Sequence, residues 1–128
     1  EAVDAYIESL RPRPGPGVAA DGSLDALARR GKAIFMGKAQ CGRCHHGPLW
    51  TDMQRHRVVP PAPYDRDDEG FVTPRLVELH RTAPYLHDGR AATLRELLVR
   101  FNPEDRHGHT SGLSDEEVDA LIALLETL

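Results

Sequence analysis

Apolar side chains recur at helical spacing in several stretches of this chain, and between them the period disappears. Leu24, Leu27, Ala28, Gly31, Ile34 and Phe35 fall on one side of a helix that Ser23 is placed to cap and that ends near Met36-Gly37. Val118, Leu121, Ile122 and Leu125 make the apolar stripe of a last helix, opened by a capping box of Ser114 and Glu117. Thr73-Pro74 with Leu76, Val77 and Leu79 predicts one short helix, and Thr93 caps another over Leu94 to Phe101, stopped by Asn102-Pro103. From His46 to Pro74 the chain is rich in Pro, Asp and Gly, with short extended candidates only at Arg57-Val58-Val59 and Gly70-Phe71-Val72. So long a loop in a compact domain is functional or wrapped around something. The fold class expected is all-α, a helical domain whose long loops wrap one bound group.

Residues 11–22 hold three prolines and three glycines, which neither helix nor strand tolerates, so they read as a linker. Ahead of it, Val3-Asp4-Ala5-Tyr6-Ile7-Glu8-Ser9-Leu10 resembles the closing segment from Val118 to Leu128. The organisation expected is therefore a closing helix of a preceding domain at 1–10, the linker at 11–22 and the main domain at 23–128. Two amphipathic helices also look alike by chance. The chain opens on Glu1 with no initiator Met or signal peptide, as a processed product or a piece of something longer would; the helix likeness favours the piece.

A length of 128 residues suits one core. Apolar residues are 40% of the chain but aromatic ones only 5%, so the core is lean in large rings, and a flat apolar cofactor could fill part of it. The net charge of −4, with Lys and Arg scattered, excludes the basic face of a nucleic-acid binder. The longest apolar run, near Leu121 to Leu125, is far too short for a membrane span, and a soluble domain is expected.

The chemistry is concentrated in Cys41-Gly42-Arg43-Cys44-His45. In a Cys-x-x-Cys-His run, two thiols add across the vinyl groups of a haem while the adjoining histidine reaches the iron from one face. A zinc site would need a second ligand pair, and the chain has no other Cys. A redox dithiol of the thioredoxin kind would open a helix in a strand-helix-strand pattern not found here. One covalent haem c is therefore expected, on Cys41 and Cys44 with His45 as iron ligand. Covalent attachment of this kind takes place outside the cytoplasm, so the address expected is periplasmic. Gly47-Pro48 follows closely: a backbone carbonyl near Pro48 is positioned to accept the His45 Nδ1–H and orient the ring, although a plain turn accounts for Pro48 equally well.

The stretch Thr82-Ala83-Pro84-Tyr85-Leu86-His87-Asp88-Gly89-Arg90-Ala91-Ala92-Thr93-Leu94-Arg95-Glu96-Leu97 resembles the signature of the second haem domain of bacterial di-haem cytochrome c peroxidases and their MauG-type relatives. Gly47-Pro48-Leu49-Trp50-Thr51-Asp52, Thr73-Pro74-Arg75-Leu76 and Leu113-Ser114-Asp115-Glu116-Glu117 are similar too, so the resemblance extends over most of residues 24–128. It implies a distal iron ligand, Met or Tyr, at the position occupied here by Phe101, which cannot bind iron. Met36 and Met53 read as core filling. The substitute is sought in Asn102-Pro103-Glu104-Asp105-Arg106-His107-Gly108-His109, where His107 is preferred to His109; a similar Arg-His-Gly stretch accompanies bis-histidine ligation in the branch that includes rubber-cleaving di-haem oxygenases. Polar loop histidines are the plainer reading of both.

By the same resemblance His87 lies near the haem or an interdomain contact. Arg75, Arg81 and Arg90 are candidates to meet haem propionates, with surface ion pairs as the simpler account. His46 should point away from the iron, His56 reaches a haem edge or the surface, and His80 is structural. No residue is assigned a catalytic role. A six-coordinate haem passes electrons to a redox partner protein or an adjacent domain; a peroxidase-like enzyme would need an open distal face and a second haem, and one Cys-x-x-Cys-His is present.

Overall fold

A computed structural model describes residues 1–11, 13–65 and 69–128; Pro12 of the linker and residues 66–68 of the long loop lie outside it. The architecture is mostly helical with long loops and one two-stranded sheet. Three α-helices, α1 (Ala2–Ser9), α2 (Ala26–Met36) and α3 (Asp115–Leu125), are joined by the 3₁₀ turns Cys41–Arg43 and Leu79–Arg81 and a π-helical turn, Glu96–Arg100. β1 (Arg55–His56) and β2 (Phe71–Val72) pair antiparallel, Arg55 opposite Val72.

The frame is the packing of α2 on α3. Ala28, Gly31, Ile34 and Phe35 of α2 and Val118, Ala120, Leu121, Leu124 and Leu125 of α3 are buried. Phe35, Leu121 and Leu124 are sealed from solvent, each stabilising the fold by about 1.5–3 kcal/mol relative to an exposed side chain. Gly31 marks the closest approach: a Cβ there would stand 2.0 Å from the Ala120 carbonyl oxygen. The capping box of Ser114 and Glu117 forms as expected, and Lys38 Nζ reaches Glu117 Oε2 at 2.7 Å, tying the end of α2 to the start of α3.

Local pattern and packing disagree in places. Asp25, not Ser23, caps α2, accepting from Ala28 N at 2.8 Å, because Leu24 is drawn back into a bridge with Val18; Leu27 faces solvent. Met36 and Met53, expected in the core, are more than half exposed. The helix expected after Thr73-Pro74 is only the turn Leu79–Arg81. The first strand lies two residues before its expected place, at Arg55. Thr93 does cap the next helix, its Oγ1 accepting from Glu96 N at 3.1 Å, but the helix widens, Phe101 N reaching Glu96 O. A π turn of this kind is uncommon and recurs at functional sites.

Residues 13–25 do not hang free. Arg13 N donates to Glu78 Oε1 at 2.6 Å and Asp25 N to Gly17 O at 3.0 Å. Gly15 is buried with room for no side chain, since a Cβ on it would stand 1.8 Å from Glu126 O. α1 differs: none of its residues is buried, and Val3, Tyr6, Ile7 and Leu10 are all more than half exposed. Among the described residues no helix is long and apolar enough to cross a membrane.

Candidate metal centre

The end of α2 delivers the chain into the Cys41–Arg43 turn, with Gln40 in the left-handed region and His45 N bonded back to Cys41 O at 2.9 Å. His45 is thereby turned inward and is 8% exposed, while His46 stays at the surface. The His45 Nδ1 lies 3.0 Å from the carbonyl oxygen of Trp50, two residues beyond Pro48, and that carbonyl accepts the Nδ1–H. Trp50 is braced edge-on against Phe35 of the core, ring centres 5.6 Å apart at 88°. A chain of contacts thus runs from the α2–α3 core to the orientation of one imidazole, leaving Nε2 as its free nitrogen.

Across from His45 stands His107, ring centroids 6.2 Å apart at an interplanar angle of 36°. Two imidazoles bound to one metal from opposite sides, with bonds of about 2.0–2.1 Å and roughly 1.1 Å from ring centre to ligating nitrogen, have centroids about 6.2 Å apart. The centroid spacing of this pair equals that value. Burial lowers the pKa of His45, opposed by the Trp50 carbonyl, and pushes His107 down to about 4, with His45 as the second cause. Both rings are neutral near pH 7, the form that binds metal. His109 is exposed, and its backbone N–H is bonded to Ala39 O at 2.9 Å.

The two thiols sit beside this pair. Burial raises the Cys41 thiol to about 11, and burial with the Asp52 carboxylate raises that of Cys44, so both stand as protonated thiols near pH 7. Gly108 closes over Cys41: a Cβ on it would lie 3.5 Å from the Cys41 Sγ and 2.9 Å from Ala39 O. Cys44, Asp52 and His56 bring their donor atoms within 4.8 Å of one another. Asp52 Oδ2 accepts from His56 Nε2 at 2.8 Å, and the Gln54 N–H, Thr73 and His56 hold the Asp52 carboxyl well below the usual carboxylate range.

Other residues singled out in the sequence lie elsewhere. His87 stacks on Phe71, centroids 3.9 Å apart at 16°, and bonds Asp65 Oδ2 at 2.9 Å. Arg90 is paired with Asp88 at 2.5 Å and, with Val59, Leu86, Phe101 and Arg106, lines a cleft of about 230 Å³. A second cleft of about 290 Å³ shares Val59, Pro60 and Arg106 and adds Arg57 and Phe71. Neither is lined by His45 or His107, but Asn102 joins the first to the His107 loop. Apolar walls with guanidinium rims suit a flat apolar body carrying carboxylates at one edge. Arg75 is exposed and unpaired among the described residues; Arg81 pairs with Glu78 at 3.4 Å. Sequence reasoning missed the Trp50 carbonyl and Asn102; the only signal for them was their place in the Gly-Pro-Leu-Trp and Phe-Asn-Pro runs.

No protein-family model matches the chain. It is 31% identical to the cytochrome-c peroxidase IdrP2 of Denitromonas iodatirespirans, over 98% of this chain and 47% of that protein. It is 30% identical to the methylamine utilization protein MauG of Methylorubrum extorquens, over 84% of this chain and 36% of that one. Among solved structures, a chain of Kuenenia stuttgartiensis hydrazine synthase superposes with a TM-score of 0.79 at 29% identity, covering 99% of this chain and 54% of its own. The chain spans about half the length of the curated relatives it matches first. Shared fold and shared sequence over nearly the whole chain agree with the signature around His87-Asp88-Gly89, and the chain belongs to the superfamily of di-haem cytochrome c peroxidases and MauG-type proteins.

Proposed function

We propose that this chain is a c-type haem domain that transfers electrons, its haem bonded to Cys41 and Cys44 and its iron held between His45 and His107. The observation that carries the reading is the 6.2 Å spacing of the two imidazole centroids, the separation that two imidazoles sharing one metal would have. When bound, the haem supplies a one-electron couple, set lower by two imidazoles than by a His/Met pair. His45 is the firmly oriented ligand, fixed at Nδ1 by the Trp50 carbonyl. His107 occupies the face that a peroxide or oxygen would need, which sets electron transfer ahead of a peroxidase-like reaction at this site. Cys41 and Cys44 would hold the cofactor covalently, and Arg90 and Arg106, which line the cleft that Asn102 joins to the His107 loop, would supply guanidinium partners for its carboxylates.

The partner is a redox protein or a neighbouring domain. Support for the latter comes from the apolar stripe of α1, exposed among the described residues, and from relatives about twice as long. We place 1–10 as a helix that closes a preceding domain, 11–22 as a connection laid along the body, and the whole in the periplasm. The test is the absorption and EPR spectra of the ferric protein beside His107→Ala. A low-spin wild type whose variant turns high-spin or changes ligand upholds the reading; a wild type already high-spin overturns it and brings forward catalysis at an open iron.

A further inference from the structure

The His107 ring has no hydrogen-bond partner among the described residues, in contrast to His45 and its Trp50 carbonyl. What holds His107 is its backbone, and both of its backbone polar groups go to one side chain. Asn102 Oδ1 accepts from His107 N at 2.8 Å, and Asn102 Nδ2 lies 3.1 Å from His107 O. The same Nδ2 lies 2.9 Å from Gly108 O and 2.8 Å from Thr110 Oγ1. The Thr110 hydroxyl can accept there because its own hydrogen is given to Leu98 O at 2.6 Å. Three oxygens around Nδ2 and one N–H at Oδ1 dictate which way the amide points. Asn102 is 3% exposed and Thr110 5%, so these bonds form away from competing water. Leu98 belongs to the core, so the latch connects the loop to the packed interior. Asp105 locks the far side, accepting from Thr110 N and Ser111 N at 2.8 and 2.9 Å.

We infer that Asn102 is the positioning residue of the distal ligand: with Thr110 it clamps the His107 backbone to the core so that the ring faces His45 across one metal-sized gap. The inference rests on the ligation proposed above. Two rings held differently follow from it. His45 is steered by a hydrogen bond at the ring itself, whereas the hydrogen bonds that steer His107 among the described residues are on its main chain, and it is the ligand that external donors displace.

The experiment uses the haem-loaded chain and reads the low-spin EPR signal and the rate at which cyanide is taken up by ferric iron, in wild type, His107→Ala, Asn102→Asp, Thr110→Val and Thr110→Ser. Asn102→Asp keeps the shape and the acceptor for His107 N but sets a carboxylate oxygen against three oxygens; Thr110→Val keeps the shape and removes the hydroxyl. The expected result is cyanide uptake about tenfold faster, or more, with a high-spin fraction, in Asn102→Asp and Thr110→Val, and wild-type behaviour restored in Thr110→Ser. A merely structural role would lower thermal stability and leave both readouts unmoved. Should Asn102→Asp fail to fold, Thr110→Val decides by the same readouts. If His107→Ala alters the spectrum but Asn102→Asp, or Thr110→Val in its place, keeps the wild-type signal and rate, this inference is overturned while the ligation stands. If His107→Ala leaves the wild-type spectrum unchanged, the ligation itself fails and this inference with it.

Discussion

Gly108 carries two demands at one position. Its φ of +77° lies in the left-handed region, where a side chain costs about 1–2 kcal/mol. A Cβ would also press on Ala39 O at 2.9 Å, and Ala39 is fully buried and receives the His109 N–H. Gly108→Ala is therefore expected to lose at least that amount, read as a lower urea midpoint at unchanged m-value, and to loosen the histidine immediately before it. A midpoint equal to wild type would show that the His107 loop does not depend on this close approach. The resemblance that drew attention to Arg-His-Gly says nothing of this cause; the contact with Ala39 and Cys41 does.

Among the elements, α2 against α3 carries the stability, and two substitutions there probe opposite limits of packing. Leu121→Ala removes a side chain with no exposure and should cost about 2–5 kcal/mol. Gly31→Ala adds one carbon where the Ala120 carbonyl leaves 2.0 Å, so the helices must part, at about 1–3 kcal/mol or more. Chemical denaturation of the two variants measures both; a neutral Gly31→Ala would mean that the helices slide without penalty. The helix stripes and the Ser114/Glu117 box were legible in the sequence because they are local and periodic. The N-cap of α2 was not, since the bridge between Val18 and Leu24 that moves it to Asp25 depends on where residues 13–25 lie on the body. The π turn was equally hidden: its sequence is an ordinary helical one, and the contacts it makes, Leu98 in the core and its carbonyl bonded by the Thr110 hydroxyl, come from residues well beyond it.

For the whole molecule before haem is attached, the two facing histidines make stability depend on pH. Unfolded, a histidine takes up its proton near pH 6.5; folded, burial and the neighbouring ring keep His107 neutral down to about 4, and burial lowers His45 in the same direction. Between those values the unfolded chain binds more protons than the folded one, so stability is full above about pH 6.5 and falls as the pH drops through that window. Urea midpoints of the haem-free chain from about pH 7.5 to about pH 4.5 should decline, and less steeply in His107→Ala. A flat wild-type profile would mean that the rings are not held neutral.

The amino-acid sequence by itself determined what local order can encode: the Cys-x-x-Cys-His spacing, the capping residues, the apolar stripes of α2 and α3, the breakers of residues 11–22 and the signature of the superfamily. Each depends on neighbours a few residues apart, so no fold is needed to read it. The tertiary structure alone decided which of two loop histidines faces His45, that the carbonyl on Nδ1 is that of Trp50, and that Asn102 takes both backbone groups of His107. Those relations join residues that the chain keeps far apart or that a turn alone would leave undirected. They exist because the α2–α3 core fixes Phe35 and Leu98, and through them the two loops that carry the imidazoles.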